Sequence, residues 1–445
     1  CGASQTGFGR TGTVDWDTAN IKTGTFTAVT GTGYFVNTSG GTATVNLPAG
    51  AAGSIVSVSD YTRTFASNNC SVAPDGSEKI GGLANPAALE VDGQSATFVY
   101  VDSTEGWINI QETESSVTGR GFVTATVSGA CNTLTTAPDC SDVKLATFVG
   151  PGTFCVSAIS TVTAENTIGY AVIAGGGGGG AGGNAGGGGG GGGFREGRNV
   201  PIDNFTASPL VADAPTNAIT LTASPYTITV GGGGVAPSTP PSCSAGGASG
   251  SLSTFDTITS AGGGGTAYPG GLDGGSGGGG GRGNSCSGAG GSGDTPPTTP
   301  DQGFDGGGGT PMPCQGPPAP TPTRNGGGGG GASAVGAGAN PSGAGAAGAG
   351  SYICGSGFVG PTSPTYGTPG PVGPGRYFSG GGGGAGGNPS QGAGGAGGGT
   401  AGVTGSSATD VAVNTGGGGG GANNSPGGKA GNGGSGIVII RYKYQ

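Results

Sequence analysis

The chain contains no histidine among its 445 residues, and that one absence removes several chemistries together. No Ser-His-Asp or Cys-His arrangement can be assembled. A zinc centre would need four thiolates. The nine cysteines (Cys1, Cys70, Cys131, Cys140, Cys155, Cys243, Cys286, Cys314 and Cys354) show no Cys-x-x-Cys spacing. Neither a metal nor a cofactor is therefore expected. Charge is scarce as well: charged residues make up 8% of the chain and the net charge is −9. Nucleic acid and anionic membrane surfaces call for clustered Lys and Arg, so neither is an expected partner. No apolar run approaches the ~20 residues of a membrane span. No signal peptide is visible, and a chain starting at Cys1 rather than Met reads as a fragment or a processed form. The Gly-X-Y period of collagen is missing outside residues 367–375, and so is the Asp-bearing calcium-binding glycine repeat. The odd cysteine count leaves at least one thiol unpaired within the chain. Cys131 and Cys140 flank a Pro-containing loop and are candidates for a bridge; reduced, buried cysteines are the alternative.

What the chain has instead is glycine, 116 residues of it, with 30 prolines. Uninterrupted runs occupy 175–180, 186–193, 231–234, 262–265, 277–281, 306–309, 326–331, 380–384 and 416–421. Without side chains, neither a helix nor a side-chain core can order them. A flexible linker is one outcome. The other is a bundle of polyproline-II-like glycine helices, three residues per turn and ~3.1 Å per residue, packed closely because no Cβ intervenes. Ordering each residue costs roughly 1–2 kcal/mol, and each hydrogen bond returns about 0.5–1.5 kcal/mol net. Such a bundle needs anchors. Ile168-Gly-Tyr-Ala-Val-Ile-Ala174 precedes the first run and Ile437-Val-Ile-Ile-Arg-Tyr-Lys-Tyr444 follows the last. Both read as strands. The two are expected to pair, with the runs 175–180, 186–193, 326–331 and 416–421 packed side by side as ordered helices.

The rest of the chain reads as all-β with almost no α-helix. Residues 1–20 form a lead-in or attachment segment. Residues 21–112 read as a β module, with strands at 23–29, 33–37, 42–47, 54–58, 87–91, 96–101 and 106–110 separated by Gly, Pro and Asp turns. Residues 113–166 form a further β segment with strands at 121–127, 145–149 and 153–163. The glycine-rich domain occupies 167–445. The first module is poor in large aliphatics (Leu47, Ile55, Val58, Leu89 and Val101 among the few). So small a core is marginal alone, and edge strands invite pairing between chains. The module is expected to self-associate as a homotrimer.

Several motifs resemble a known group. Ile21-Lys-Thr-Gly-Thr-Phe-Thr-Ala28, Val45-Asn-Leu-Pro-Ala-Gly50, Gly76-Ser-Glu-Lys-Ile80 and Phe98-Val-Tyr-Val-Asp-Ser-Thr-Glu-Gly-Trp-Ile108 resemble a β module of tail-fibre-like structural proteins of marine bacteriophages. Lys144-Leu-Ala-Thr-Phe-Val-Gly-Pro-Gly-Thr-Phe-Cys-Val156 is similar to the strand pair preceding phage glycine-rich domains, and Gly434-Ser-Gly-Ile-Val-Ile-Ile-Arg-Tyr442 to the signature closing them. The glycine body is distantly similar to the polyglycine tip adhesins of T-even-type phages. The resemblance implies a virion fibre or tail-tip adhesin, extracellular, in contact with other virion proteins and with a host surface protein or polysaccharide. Two alternatives stand beside it: a structural capsid or extracellular fibre subunit without a receptor, and a fibre-borne glycosidase. The last would need a carboxylate pair. Asp15 with Asp17, Asp60, and Asp301 with Asp305 are the nearest candidates, but Asp beside glycine is more often a turn residue bonding its own backbone. A non-enzymatic protein is expected.

Recognition concentrates on loops held by a rigid scaffold, and exposed Tyr and Arg are the usual anchors. The Pro-rich inserts at 235–250, 282–305, 310–325 and 351–379 are therefore the expected contact loops. Tyr352, Tyr366, Arg376, Tyr377, Phe378, Phe304 and Met312 are the expected anchors. Phe194, Tyr226 and Phe255 adjoin strand-like segments and are read as hydrophobic glue instead. In sequence an apolar cap and an apolar anchor look alike.

Overall fold

The computed structural model describes residues 14–111, 121–138, 140–182, 185–200, 202–203, 205–237, 245–282, 287–311, 324–353, 358, 366–371, 375–386, 391–423 and 428–445. Among them the protein is all-β: many short strands, no closed barrel, and one 3-10 turn at Thr163–Asn166. Two compact units divide the chain, one running essentially to Phe122 and the other from Val123 to Tyr444.

In the first unit the chain alternates between two sheets. One has the order Asp15–Lys22, Thr32–Val36, Ile55–Asp60, Ser95–Asp102, Gly106–Asn109; the other Thr25–Thr27, Ala43–Asn46, Cys70–Ala73, Ala87–Leu89. The first three strands of each sheet are mutually parallel, because each circuit of the chain lays one strand beside its predecessor. Inward-pointing Val36, Val45, Val56, Val58, Val72 and Leu89 meet the larger Phe65, Phe98 and Trp107 between the sheets. Two of these strands are absent from the sequence reading. Asp15–Lys22 was expected as lead-in and lacks the alternation that marks a strand, while Cys70–Ala73 alternates but carries only four residues. The hairpin around Asp102 explains the Tyr-Val-Asp-x-x-x-Gly-Trp element. The Asp102 carboxylate accepts the N–H groups of Thr104 and Glu105, at 2.8 and 2.9 Å. Gly106 supplies the φ of +72° that closes the turn. Trp107 then packs edge-on to Tyr100, and its indole N–H donates to Glu78 Oε2 at 3.1 Å.

In the second unit a five-stranded sheet runs Thr124–Val127, Gly152–Ala158, Pro225–Thr229, Ser253–Phe255, Ile258–Ser260. A seven-stranded sheet runs Thr133–Ala137, Cys140–Phe148, Ile437–Lys443, Thr167–Ile173, Phe194–Arg198, Val211–Asp213, with Ile219–Thr220 also paired to Thr167–Ile173. The expected pairing of the two anchors is present: Ile173 lies opposite Ile437, and Gly169 opposite Arg441, antiparallel. The C-terminal strand is central and apolar on both faces. Val438, Ile440 and Tyr442 pack with Phe154, Tyr170 and Phe255 towards the five-stranded sheet. Ile437 and Ile439 pack on the other face with Ile173, Phe194, Ile353 and Phe378. A strand buried on both faces loses the polar-apolar alternation, and Ile437-Val-Ile-Ile440 reads that way. The thiols of Cys131 and Cys140 are both free, so they do not bridge, and Cys140 Sγ lies 2.6 Å from Asp142 Oδ1. Cys1, Cys243, Cys286, Cys314 and Cys354 lie outside the described residues.

The glycine runs form the bundle. Residues 186–193 lie at its centre, and their hydrogen bonds repeat every third residue. The N–H groups of Gly186, Gly189 and Gly192 donate to the carbonyls of Ala422, Gly419 and Gly416. Those of Gly188 and Gly191 donate to Gly327 and Gly330, and those of Gly190 and Gly193 to Gly264 and Ala261. The carbonyls are spread likewise: Gly188 and Gly191 accept from Gly279 and Ser276, Gly186 and Gly189 from Ala385 and Gly382, Gly187 and Gly190 from Gly180 and Gly177. A period of three, with donors turned to three neighbouring segments and acceptors to three others, is the geometry of a polyproline-II helix in a hexagonal lattice. At the rim the period shows in burial: Gly336 and Ala339, and Gly345 and Gly348, are buried between more exposed neighbours. Where a rim helix lacks a neighbour, a side chain takes its place. Asp273 Oδ1 accepts the Ser292 N–H at 2.6 Å, Asp305 Oδ1 that of Gly293 at 2.7 Å, and Thr400 Oγ1 that of Gly420 at 2.8 Å.

Candidate functional site

Hydrogen-bond register fixes the direction of each pass through the bundle, and the passes alternate. Residues 175–181 leave the seven-stranded sheet at Ile173, and 186–193 return to it at Phe194; the same reversal repeats down to 428–436, which re-enter the sheet at Ile437. The inserts therefore sort between two ends. At the sheet end lie the described residues of 194–230, 252–260, 293–303 and 351–379. The outgoing passes reach the far end at 181, 237, 266, 282, 311, 339, 386, 404 and 423. A layer of polar side chains closes the far end. Arg282 is 1% exposed and donates to the Thr310 carbonyl at 2.8 Å, while the fully buried Asn325 donates to the Asn340 carbonyl at 2.7 Å.

This sorting separates the expected anchors. Tyr352, Tyr366, Arg376, Tyr377 and Phe378 come together at the sheet end, in a small sheet of Ser351–Ile353, Arg376–Phe378 and Thr368–Pro369. Phe378 is fully buried among Ile173, Phe194, Ile353 and Ile437, so it is core rather than an exposed anchor. Tyr377 is 5% exposed: its ring covers Gly370, where a Cβ would stand 2.1 Å from the ring, and it lies 5.5 Å from the Tyr352 ring. The Arg376 guanidinium is spent on the backbone carbonyls of Tyr366 and Gly367, at 2.9 and 2.5 Å. Tyr352, Tyr366 and Arg376 keep partial exposure. Phe304 is half-buried on a separate segment at the same end, its N–H donating to Gly331 and its carbonyl accepting from Gly277. Met312 lies outside the described residues. At the far end, Tyr268 is 49% exposed in the turn between two glycine passes.

Three of the carboxylates singled out in the sequence, Asp17, Asp60 and Asp305, accept backbone N–H groups. Asp17 pairs with Lys22 at 3.4 Å and accepts from Asn20. Asp60 accepts the N–H groups of Thr62, Phe65 and Gly93, and Asp305 is the rim acceptor described above. Two others, which sequence reasoning passed over, are buried. Asp203 is ion-paired to the buried Arg441 at 3.2 Å and accepts the Asn199 N–H at 3.0 Å. Burial raises its pKa, against the opposing pull of Asn199 and Arg441. The Phe205 ring lies under the Arg441 guanidinium at 5.4 Å and edge-on to Phe358 at 4.7 Å. Glu196, 2% exposed, accepts the Ser208 N–H on Oε2 at 2.9 Å and has no partner for Oε1. Burial pushes its carboxyl up to about 7, against the Ser208 bond and the Arg198 charge.

The shift at Glu196 makes a prediction. A carboxyl whose folded pKa lies above its unfolded value of 4.5 contributes stability that is complete below pH 4.5 and lost as pH rises through 7. The loss from this group is about 3 kcal/mol. Thermal midpoints of the full chain should fall between pH 4.5 and 7, and Glu196→Gln should reduce the fall. An unchanged slope in the variant would assign it to other groups.

The family model described as a glycine-rich domain matches residues 151–443. The chain belongs to this glycine-rich domain family. The matched stretch opens beside the strand Gly152–Ala158 and closes at Lys443, the last residue of the central strand. The glycine-rich domain therefore takes in the bundle and all but three strands of the two sheets. The strands Thr124–Val127, Thr133–Ala137 and Cys140–Phe148 precede the match, yet they complete the two sheets. No curated protein matches the chain.

Proposed function

We propose that this protein is a phage virion fibre or tail-tip adhesin that binds a host surface protein or polysaccharide through the far end of its glycine bundle. The observation that carries the reading is the division of labour between the two ends. Four rings of the sheet-end inserts go into packing, as Phe205, Phe358, Tyr377 and Phe378 are all buried. The described far-end turn around Tyr268 joins two glycine passes and leaves that ring in solvent. A surface held by so rigid a scaffold loses little entropy on binding. The first unit serves attachment and trimerisation beside other virion proteins, and the resemblance of its motifs to phage fibre modules supports that role.

The test compares two tyrosines. Tyr268→Ser is expected to lower adsorption of the purified chain to host cells at least tenfold without moving the thermal midpoint. Tyr352→Ser, which removes the ring facing Tyr377, is expected to lower the midpoint by a few degrees. A wild-type chain that never competes with virions for host cells would replace the adhesin with a purely structural subunit.

A further inference from the structure

The first unit carries an aromatic strip that its core does not use. Trp16, on the edge strand Asp15–Lys22, stands in register with Gly33. Its indole lies across that residue: a Cβ on Gly33 would fall 2.7 Å from the ring, so only glycine seats it. The indole stacks on Phe35, with centroids 4.9 Å apart and a tilt of 33°. Phe35 meets Tyr61 edge-on at 6.4 Å. The strip stays in solvent, with Trp16 41% and Tyr61 56% exposed. Alternate residues of the next strands form its floor, and they bear hydroxyls. Gly33 lies opposite Ser57 and Phe35 opposite Ser59. Ser57 and Thr97 share a hydrogen bond of 2.7 Å, Ser59 and Ser95 one of 2.8 Å.

We propose that this face is a binding site for a neutral saccharide chain, separate from the surface assigned to the glycine bundle and independent of it. A pyranose presents one apolar C–H face, which stacks on an aromatic ring. It also presents hydroxyls that both donate and accept. Ser59 and Ser95 match these, since each hydroxyl can do either. The rings and hydroxyls of the strip itself carry no charge, and Lys22, on the same strand as Trp16, is paired with Asp17 at 3.4 Å. An anionic ligand needs an open cation; Arg63, two residues beyond Tyr61, is the exposed cation nearby, which is why an anionic comparator is included.

The chain carries its own reporter. Of its two tryptophans, Trp107 is fully buried and bonded to Glu78, so a change in fluorescence on adding sugar reads Trp16. The full chain is titrated with cellohexaose, maltohexaose and, as the anionic comparator, oligogalacturonate. The expected result is a saturable change with at least one neutral hexaose. Tyr61→Ala should weaken it at least fivefold at an unchanged thermal midpoint, and Trp16→Ala should abolish binding by calorimetry. Three results overturn the proposal: no response to either neutral sugar, a response to oligogalacturonate alone, or affinity unaltered in Tyr61→Ala. A Trp16 spectrum that shifts with protein concentration in the absence of sugar would assign the strip to a second copy of the chain, and that too overturns it.

Discussion

Gly189→Ala is expected to unfold the glycine-rich unit, whereas Gly232→Ala, the same change made at the rim, leaves it folded. Gly189 sits in the central run, its N–H bonded to Gly419 and its carbonyl to Gly382. A Cβ there would stand 2.1 Å from the Gly177 carbonyl oxygen, far inside contact distance. The obstructing atoms are backbone locked in the lattice, so no rotamer relieves the clash. Moving one helix aside would break the bonds it makes to its neighbours. The loss should reach at least about 4–5 kcal/mol, at the far tail of single substitutions and comparable to the whole stability of many domains. A Cβ on Gly232 would meet nothing within 4 Å, and removing a glycine from the unfolded chain is worth about 0.4–1 kcal/mol. Thermal unfolding and limited proteolysis of the two variants make the comparison. Equal behaviour would mean that the runs are not close-packed.

Ending the chain at Ser435 should be as damaging. The strand Ile437–Lys443 bridges Cys140–Phe148 on one side and Thr167–Ile173 on the other. Its removal would therefore split the seven-stranded sheet. Ile437, Val438, Ile439, Ile440 and Tyr442 are each no more than 3% exposed. At ~2 kcal/mol per buried side chain, they contribute about 10 kcal/mol together. Asp203 would also lose Arg441, leaving a buried carboxylate without its cation. The expected outcome is a protein that trypsin and proteinase K degrade throughout residues 123–435 while the first unit survives. A protease-resistant glycine body in the shortened chain would refute this account of the anchor.

The anchors were legible because β-branched runs with no polar alternation have few alternatives: 168–174 and 437–444 could bury themselves only in a shared sheet. The uninterrupted glycine runs were legible for a similar reason, since close backbone packing is all they offer. The rim helices were missed. Gly336 and Ala339, and Gly345 and Gly348, are buried at a step of three because only one ridge of a rim helix faces inward, but most of the residues around them are also glycine or alanine, so the sequence carries no mark of that ridge. Asp15–Lys22 escaped notice because an edge strand with a largely solvated surface does not need alternation. Among the expected anchors, Phe378 and Tyr377 show why aromatics in inserts are ambiguous. Whether a ring caps or protrudes depends on which end of the bundle receives the insert, and that follows from the number of passes before it. Glu196 carries no local mark at all, because its burial comes from the loop that brings Ser208 over it.

A homopolymer cannot encode its own alignment. Every residue of 186–193 is equivalent to its neighbours, so sliding this run one full turn along the lattice would preserve its hydrogen bonds. Only the non-glycine residues at its two ends, Ala185 and Phe194, both buried, forbid the slide. They act as stops on a threaded rod. One inserted glycine would rotate everything beyond it by a third of a turn, while three would restore the orientation and advance the chain by ~9 Å. Variation in the length of these runs should therefore be tolerated in steps of three where the stop can be moved, and nowhere else.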